Sequence, residues 1–553
     1  TIEYDKYSRP VKATAFTGKI VETAYTKNTV TTTETNANGR FKKQTFDAIG
    51  NVISTEDKGG TIFFKYNAAG EQIEAKYGTN IVTTSYDAWG RKIEFFDPSN
   101  GRYRYEYNHG LGLLTKTISP KGEKSYIYNN KAQLISQKEA STDGSDTTNK
   151  IIQFTYNDKG QILSKQGTSK GKSFLSNIRY DDYGRVLSVV ENSYGKTYEK
   201  KNIVYDAMSR AVSYEKSLSS EGKTTNVTIE QVYDSRTGEL YQLKDKKSGK
   251  ILWELKEQNA KGQLTKALLG GTKISNTYDS NGFLSFVRHE VENKPDLLSL
   301  FYSFNAIKNE LTGRSRGGTM NILESFEYDE NNRLVKWTNP VTTENHYNLY
   351  DKEGRIIEND ELGRIKFENS GKVYQPTGVT LNSKGEELLK NNLIQTIRYN
   401  ENNDPIFIEG ERGDVSFEYG LNSMRQKVSF GGKIEEQNHS EGRYTRYYSE
   451  DGSFEVTRDN QTGKEKHILY IGGNPYESEI IFAKDYAESE GKYLFLHKDY
   501  LGSILAISDE EGNSIEQRHY DAWGNMTHLQ IGNGAVLTGE ELERAKAQMF
   551  LDR

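Results

Sequence analysis

The sequence of 553 residues contains no cysteine and only 8 prolines. The absence of cysteine excludes disulfides, thiolate nucleophiles and cysteine-ligated metals. The scarcity of proline argues against a long proline-rich linker. A net charge of −5 gives no overall attraction to nucleic acid or to an anionic membrane, and no apolar run approaches the roughly 18 residues of a membrane-spanning helix. We therefore expect no nucleic-acid partner and no membrane insertion.

Aliphatic residues are also scarce, whereas aromatic residues are abundant. The residue types AVILMFWYC make up 34% of the chain, and they include 37 Tyr, 22 Phe and 4 Trp. Low hydrophobicity is typical of disordered chains, but such chains contain few aromatic residues. The composition therefore predicts a chain that folds without a thick aliphatic core.

A short pattern recurs along the chain: an aromatic residue, Asn or Asp, two variable residues, Gly, a polar residue and an aliphatic residue. The sequence YDAWG occurs twice, from Tyr86 and from Tyr520. Repeats at near-constant spacing indicate an array of identical structural units. Copies of the pattern start at Phe46, Tyr66, Tyr86, Tyr107, Tyr128, Tyr156, Tyr180, Tyr205, Tyr233, Tyr278, Tyr328, Tyr350 and Tyr399.

Each repeat has the pattern of a β-hairpin. Tyr103, Tyr105 and Tyr107 alternate with charged residues, as on one face of a strand. In stacked hairpins we expect each such aromatic beside the equivalent one of its neighbour, so that these residues form part of a tyrosine stripe. Asn or Asp then opens a turn, and Gly closes it in a left-handed conformation. We therefore expect positive φ angles at Gly90, Gly184 and Gly354.

About 25 such hairpins give about 50 strands, and open sheets rarely exceed about ten strands without curling. A curled wall with water on both faces accounts for few aliphatic and many Tyr residues. The predicted fold class is all-β: a spiral of stacked antiparallel hairpins that forms a large hollow shell. One short helix is predicted at 538–550, with Thr538 and Glu541 as a capping box and Leu542, Ala545 and Met549 on one face.

The repeats resemble the tyrosine-aspartate (YD) repeats of the rearrangement-hotspot (Rhs) proteins, which are related to teneurins and to the shell components of insecticidal toxin complexes. The sequences YIGGNPYE from Tyr470, FLHKDYLGS from Phe495 and the final MFLDR are similar to the Rhs-associated core. We predict a YD-repeat shell at 1–466 and the start of a truncated core domain at 467–553.

The resemblance implies a non-catalytic shell that encloses a C-terminal toxin or other polypeptide cargo in a bacterial secreted or injected effector. The expected location is therefore secreted or cell-surface. Besides the cargo, a secretion apparatus or a shell-closing partner is expected. The sequence starts without Met, which predicts a piece of a longer protein, and the region of autoproteolysis in the family is expected beyond Arg553.

No catalytic, cofactor-binding or metal-binding residue is predicted, because no HExxH motif and no phosphate-binding loop is present. We call the stretch that runs from HKDYLGS to the second YDAWGN the core motif. His497 lies at its start, His519 directly precedes its YDAWGN, and Asp499 and Asp521 occupy turn positions. A structural role is predicted for these four residues. The predicted repeat and core residues are Tyr86, Asp87, Gly90, Tyr180, Gly184, Tyr350, Gly354, His497, Asp499, Gly502, Tyr520, Asp521 and Gly524.

Two other functions remain open from the sequence. The many tyrosines suit a surface adhesin that binds glycan or protein through exposed aromatic loops. A cryptic hydrolase is a third hypothesis, for which the sequence offers almost no supporting residues.

Overall fold

A computed structural model describes residues 1–145, 147–390, 394–410, 413–434, 441–546 and 549–551. Of these residues, 56% are in strands and 3% in helices, and almost all strand pairing is antiparallel. This confirms the predicted all-β class.

The described residues form 46 strands and two short helices. The strands of the first sheet are β1 (Ile2–Tyr4), β2 (Pro10–Thr14), β3 (Ile20–Thr26), β4 (Thr29–Glu34), β5 (Arg40–Phe46), β6 (Val52–Asp57), β7 (Gly60–Tyr66), β8 (Gln72–Tyr77), β9 (Asn80–Tyr86), β10 (Lys92–Asp97), β11 (Gly101–Tyr107), β12 (Leu114–Ile118), β13 (Gly122–Tyr128), β14 (Leu134–Ser141), β15 (Asn149–Tyr156), β16 (Ile162–Ser169), β17 (Lys172–Tyr180), β18 (Val186–Ser193), β19 (Lys196–Tyr205), β20 (Ala211–Ser220), β21 (Lys223–Tyr233), β22 (Leu240–Asp245), β23 (Ile251–Gln258), β24 (Leu264–Leu269), β25 (Thr272–Tyr278), β26 (Leu284–Val291), β27 (Leu298–Asn305), β28 (Glu310–Arg316), β29 (Ile322–Tyr328), β30 (Leu334–Thr338), β31 (Asn345–Tyr350), β32 (Ile356–Asn359), β33 (Gly363–Lys366) and β34 (Gly378–Leu381). The strands of the second sheet are β35 (Ile394–Tyr399), β36 (Pro405–Gly410), β37 (Val415–Tyr419), β38 (Arg425–Phe430), β39 (Tyr444–Tyr448), β40 (Phe454–Asp459), β41 (Glu465–Ile471), β42 (Ile480–Asp485), β43 (Lys492–Lys498), β44 (Ile504–Ser508), β45 (Ser514–Tyr520) and β46 (Met526–Ile531). The helices are α1 (Ser383–Leu389) and α2 (Gly539–Ala545).

Within each sheet, every strand pairs with its neighbour along the chain, so both sheets are simple meanders. The first sheet contains 34 strands and the second contains 12. The predicted domain boundary after residue 466 falls inside β41, and the division into a shell and a core domain stays a prediction.

The repeat turn has the geometry that its sequence predicts. In the first YDAWG copy, Gly90 donates a backbone hydrogen bond to the Asp87 carbonyl at 3.1 Å, and Gly90 has a φ of 76°. The Asp87 carboxylate accepts the N–H groups of Trp89 and Arg91 at 2.9 and 3.0 Å. The Asp87 N–H also donates to the Arg91 carbonyl at 3.0 Å, so the turn is a type I turn followed by a glycine bulge. The strand register shifts separately, between Lys92 and Glu94. Positive φ angles of 84° at Gly184 and 83° at Gly354 confirm the other two predictions.

Successive repeats are joined by a contact that involves tyrosine and arginine. The Tyr86 hydroxyl donates to the Gln72 carbonyl of the preceding repeat at 3.1 Å. Arg91 donates to the Asp87 carboxylate at 2.7 Å, and its guanidinium lies 4.7 Å from the ring centroid of Tyr107 in the next repeat. The same stacking of arginine on the next tyrosine recurs at Arg185 and Tyr205, Arg210 and Tyr233, and Arg333 and Tyr350.

We expect Gly90→Val to destabilise the β9–β10 hairpin by about 1 kcal/mol or more, because a β-branched side chain is strained at this left-handed φ. Hydrogen–deuterium exchange of the β9 and β10 amides measures the loss. Gly110→Val is the matched control, since Gly110 lacks a left-handed φ and no atom would lie within 4 Å of an added Cβ. Gly110 lies in the next hairpin, so its effect is measured at the β11 and β12 amides. An equal loss in both variants would contradict the turn mechanism.

The N-terminal part of the first sheet is a wall one strand layer thick. In residues 1–135 only Ala37 and Gly122 are fully buried, and the other residues are half-buried or exposed. On β11, Tyr103, Tyr105 and Tyr107 share the half-buried face. Phe95 lies opposite Tyr103 and Thr117 opposite Tyr105, so the predicted tyrosine stripe continues partly through threonine.

The C-terminal strands differ from this wall because both of their faces are buried. In β41 the side chains of Ile468 and Tyr470 enter one apolar cluster, whereas Leu469 and Ile471 enter another. Continuous apolar runs such as HILYI are typical of strands that are covered on both faces. The composition of the whole chain did not predict this local core.

The predicted C-terminal helix is present as α2, with Thr538 at the N-cap position, but it ends at Ala545 and the predicted extension to residue 550 is wrong. The Thr538 side chain makes no capping hydrogen bond, so the predicted capping box is wrong. Leu542 and Ala545 pack on Leu529 with Met549 beside them, which confirms the predicted apolar face. Helix α1 was not predicted, and Asn382 caps it by accepting the Gly385 N–H at 2.8 Å.

Candidate functional site: the seam between the two sheets

The first sheet curls until it meets itself. Arg40 contacts the carbonyl of Lys308 at 3.3 Å, across 268 residues of sequence. The Tyr77 hydroxyl contacts the carbonyl of Lys352 at 3.4 Å, across 275 residues. One winding of the spiral therefore takes about 270 residues at this end.

The spiral tightens toward the C-terminus, where the second sheet lies over the first. Lys150 donates to Ser423 at 2.9 Å across 273 residues, whereas Arg316 donates to Gln517 at 2.9 Å across only 201 residues. We call this contact zone, between β14–β30 and β35–β46, the seam. It is the place where the shell wall becomes two layers thick.

A dry apolar core fills the middle of the seam. Close packing of such side chains stabilises each by about 1.5–3 kcal/mol relative to exposure. The fully buried members from the first sheet are Tyr198, Ile203, Tyr214, Leu218, Val227, Ile229, Leu252, Ala267, Leu269 and Ile274, and those from the second sheet are Tyr447, Phe454, Val456, Leu469, Ile471, Ile480, Tyr493 and Phe495.

Repeat turns of the second sheet place apolar side chains onto the first sheet. Leu421 is buried against Ile152 and Phe174. Tyr500 packs edge-on against Tyr302, with ring centroids 5.1 Å apart. The turns of the second sheet therefore act as contact points of the seam.

A group of buried charged side chains joins the two sheets next to the second YDAWG sequence. The Glu324 carboxylate of β29 accepts hydrogen bonds from Arg314 at 2.7 and 2.9 Å and from His519 at 2.9 Å. Arg314 also donates to the Tyr520 carbonyl at 2.7 Å. Burial alone would raise the pKa of Glu324, but the hydrogen bonds from His519 and Arg314 hold it below its ordinary value. The buried Asp499 carboxylate lies 3.9 Å from Arg314 as a second anion beside this cation.

Two further cations are buried at the seam and bind carbonyl oxygens. Lys216 donates to the carbonyls of Ser453 and Tyr470 at 3.2 and 2.7 Å, and burial lowers its pKa to about 7. Arg316 donates to the Arg518 carbonyl, and burial lowers the pKa of Arg316 to about 10. Both side chains of the first sheet thus satisfy backbone groups of the second.

A pair of histidines also bridges the sheets. His289 of β26 and His497 of β43 are joined Nδ1 to Nδ1 at 2.7 Å, and His497 Nε2 lies 2.9 Å from the Ser508 hydroxyl. Burial lowers the pKa of His289 to about 4. Burial, followed by the nearby His289, also lowers the pKa of His497. Both rings are therefore neutral at pH 7.

The structure separates the predicted site residues into two groups. Tyr86, Asp87, Gly90, Tyr180, Gly184, Tyr350 and Gly354 lie at the repeat turns of the first sheet, whereas His497, Asp499, Gly502, Tyr520, Asp521 and Gly524 lie in the second. His497 and His519 both contact the first sheet, at His289 and Glu324. Asp499 accepts the N–H groups of Leu501 and Ser503 as a turn former.

The two YDAWG copies have different surroundings. Trp89 is 83% exposed at the tip of its turn. Its counterpart Trp523 is 47% exposed and packs edge-on against Trp337 of the first sheet, with centroids 5.4 Å apart. The tip of the same turn is thus exposed to solvent in the first copy and contacts the first sheet in the second copy.

We expect Trp523→Ala to destabilise the seam by about 1–2 kcal/mol, because it removes an aromatic pair and half-buried apolar surface. Trp89→Ala is the matched control, and its expected effect is within about 0.5 kcal/mol. Chemical denaturation of both variants gives the two values. A larger loss from Trp89→Ala would contradict the assignment of the seam.

A cavity of about 620 Å³ opens at the N-terminal end of the seam. Its lining includes Lys150, Tyr194, Arg398 and Tyr419. Lys150 is engaged with Ser423, and the Tyr194 hydroxyl donates to Glu418 at 3.0 Å. The polar ends of Lys150 and Tyr194 are thus already hydrogen-bonded within the protein, and we assign no ligand to this cavity.

Among the described residues, no group of three or more His, Asp or Glu side chains is arranged to hold a metal ion. No helix in the described part of the chain is long and apolar enough to span a membrane.

Comparison with solved structures finds the same architecture. The crystal structure of TcdB2-TccC3-Cdc42 matches 99% of this chain with a TM-score of 0.60 at 13% identity. The chain has the fold of part of TcdB2-TccC3. The structure of TcdB2-TccC3-TEV matches 98% of the chain with a TM-score of 0.57 at 13% identity, and TcdB2-TccC3 without its hypervariable C-terminal region matches 98% with a TM-score of 0.57 at 12% identity.

The matched region is 31% of each of these longer chains. No family model and no curated protein matches the sequence. At this level of identity the similarity to TcdB2-TccC3 shows the fold alone. The predicted relation to the YD-repeat shells of toxin complexes is confirmed at that level.

Proposed function

We propose that this chain forms part of the wall of a container that encloses a polypeptide. The observation that carries the proposal is the change from a single layer of strands in residues 1–135 to a closed, dry seam at the other end. A single-layer wall gives an enclosed chain many weak polar contacts and no deep apolar pocket. Such an interior suits confinement without tight binding.

The cargo that we propose is a toxin segment joined to the C-terminal side of the shell, in a bacterial effector that is secreted or injected. The shell itself would carry out no chemistry. Leu551, near the end of the chain, supports this arrangement because it is buried on the second sheet beside Ile468 and Leu494. Its carbonyl accepts a hydrogen bond from buried Arg518. Leu551 is therefore anchored on the second sheet.

Protease protection tests the proposal. An unstructured segment with a site-specific protease sequence is added after Arg553, and the same segment is added before Thr1 in a second protein. We expect the C-terminal segment to be cut much more slowly than the N-terminal one, and to lose this protection when the seam is opened by denaturant. Equal cleavage rates in the native proteins would refute the container.

One observation favours the adhesin as the second candidate. Several repeat turns of the first sheet expose a large apolar side chain at the tip, and such surfaces often mark interaction sites. These side chains are Tyr7, Ile49, Trp89, Leu111, Tyr183 and Met208. Glycan-array binding that is lost in a Trp89→Ser/Tyr183→Ser variant would favour the adhesin, whereas absence of binding would leave the container.

A further inference from the structure

The His289–His497 contact is unusual because two neutral rings share one proton position. A hydrogen bond from Nδ1 to Nδ1 requires one ring to donate an N–H and the other to accept with a lone pair. A second proton on this axis would place two N–H groups against each other at 2.7 Å. The contact can therefore exist only while at least one ring is neutral.

The surroundings of the pair offer no compensation for added charge. The cross-strand neighbours of His289 are Ile274 and Leu298, and the cross-strand neighbour of His497 on β44 is Ala506. The charged residues Arg288, Glu290 and Lys498 are adjacent along the two strands, so their side chains point to the opposite faces. The Ser508 hydroxyl is the polar group beside His497 Nε2.

The seam histidines His519 and His467 differ in this respect. His519 lies 2.9 Å from the Glu324 carboxylate, and His467 lies 3.6 Å from Glu465. A carboxylate at such a distance favours the protonated imidazole. Each of these two carboxylates also has cationic partners, which keep it ionised: Arg314 for Glu324, and Lys223 and Arg458 for Glu465. Among these described histidines, the His289–His497 pair has the least capacity to accept a proton in place.

The pair also has little room to separate without opening the seam. Beside it, an added Cβ at Gly512 would lie 2.8 Å from the Val291 side chain, and one at Gly270 would lie 2.5 Å from the Phe495 ring. The turn that contains Gly512 thus packs directly on β26, and the turn that contains Gly270 packs directly on β43. Relief of the repulsion requires the sheets to move apart.

We propose that His289 and His497 form an acid-labile latch, which holds the second sheet on the first at neutral pH and releases it on acidification. Protons enter from solvent, the Nδ1–Nδ1 hydrogen bond breaks, and both imidazolium ions become hydrated as the seam opens. The latch itself does not depend on the proposed container. Its use to release cargo rests on that proposed function.

The direction and size of the effect follow from proton linkage. Burial depresses the pKa of His289 in the closed seam to about 4, from 6.5 in an open, solvated state. The open state therefore binds more protons, and the stabilising contribution is complete above about pH 6.5 and is lost as the pH falls toward 4. For His289 alone, the ratio of closed to open seam falls about 30-fold between pH 8 and pH 5.

Hydrogen–deuterium exchange of the full chain between pH 8 and pH 4.5, corrected for the intrinsic pH dependence of exchange, tests the latch. We expect protection of β26, β43 and β44 to fall about 30-fold by pH 5, while β7–β11 of the wall keeps its protection. In a His289→Asn/His497→Gln variant, whose amides hydrogen-bond without titrating, the fall should be much smaller. His109→Gln, which removes an exposed histidine of a repeat turn, should behave as the wild type.

Equal acid sensitivity of the seam in the wild type and the double variant would overturn the latch. If the double variant does not fold, the wild type alone still tests the proposal. The proposal fails if acidification lowers the protection of β26, β43 and β44 no more than that of β7–β11. The outcome is independent of cargo, since the chain alone is measured. A working latch without protease protection of an added segment would refute the container and leave the latch in place.

Discussion

Replacement of Glu324 by glutamine is expected to destabilise the seam by about 3–5 kcal/mol, the largest loss from any single charge change proposed for this chain. The substitution keeps the shape of the side chain but leaves the buried Arg314 guanidinium without its bidentate carboxylate partner. The glutamine amide keeps one acceptor oxygen, which His519 and Arg314 must share, and its NH2 group faces an N–H of Arg314. Asp499 remains 3.9 Å from Arg314, but a buried cation that loses its hydrogen-bonded carboxylate still costs far more than the net contribution of the intact pair.

Hydrogen–deuterium exchange of β28, β29 and β45 measures this loss at the seam. The matched control is Glu257→Gln, which breaks a pair with Lys266 whose side chains are both more than half exposed. Its expected effect is below about 1 kcal/mol. A similar, small effect of both substitutions would show that the Arg314–Glu324 group does not hold the sheets together.

Leu469→Ala is expected to destabilise the same region by about 3–5 kcal/mol, because it combines lost burial with a cavity that close neighbours cannot fill. Leu469 is fully buried in β41, where Phe454 and Phe482 are its cross-strand neighbours. The apolar cluster around it joins the two sheets. The loss should appear as weaker protection of β40–β42 and of the facing strands β19–β21.

The comparison for Leu469→Ala is Ile127→Ala on β13 of the single-layer wall. Ile127 is 59% exposed, and its truncation should change local stability by about 0.5 kcal/mol or less. If the two substitutions cost the same, the core would not be concentrated at the seam.

Much of the local architecture could be predicted because the repeat contains its own turn chemistry. Asp87 and Gly90 define the bulged turn with hydrogen bonds that span at most four residues. Alternation in β11 separates the Tyr103 face from the Arg104 face. Such short-range patterns are readable without knowledge of the rest of the chain.

The contact between repeats was only partly predictable. Neighbouring tyrosines were expected to lie beside each other, whereas the structure places Arg91 on the ring of Tyr107. The signal was present in the sequence, since arginine follows the turn glycine in both YDAWGR and YDDYGR. A guanidinium at this position can bind the turn carboxylate and stack on the next ring at the same time.

The seam was not predictable in detail because its partners are about 200–275 residues apart. No local pattern shows that His497 will meet His289 or that Glu324 will meet His519. The apolar runs around Ile468 and Ile481 are the one local signal that could have pointed to strands buried on both faces. The faces that would cover them depend on the curvature of the whole sheet, which accumulates over many hairpins.

Small-angle X-ray scattering of the 553-residue chain tests most directly whether the first sheet is a wall around an open interior. A filled globule of this length has a radius of gyration of about 24 Å. The single-layer wall in residues 1–135 predicts a clearly larger radius and a pair-distance distribution shifted to long distances. A radius near 24 Å with a symmetric distribution would contradict the shell.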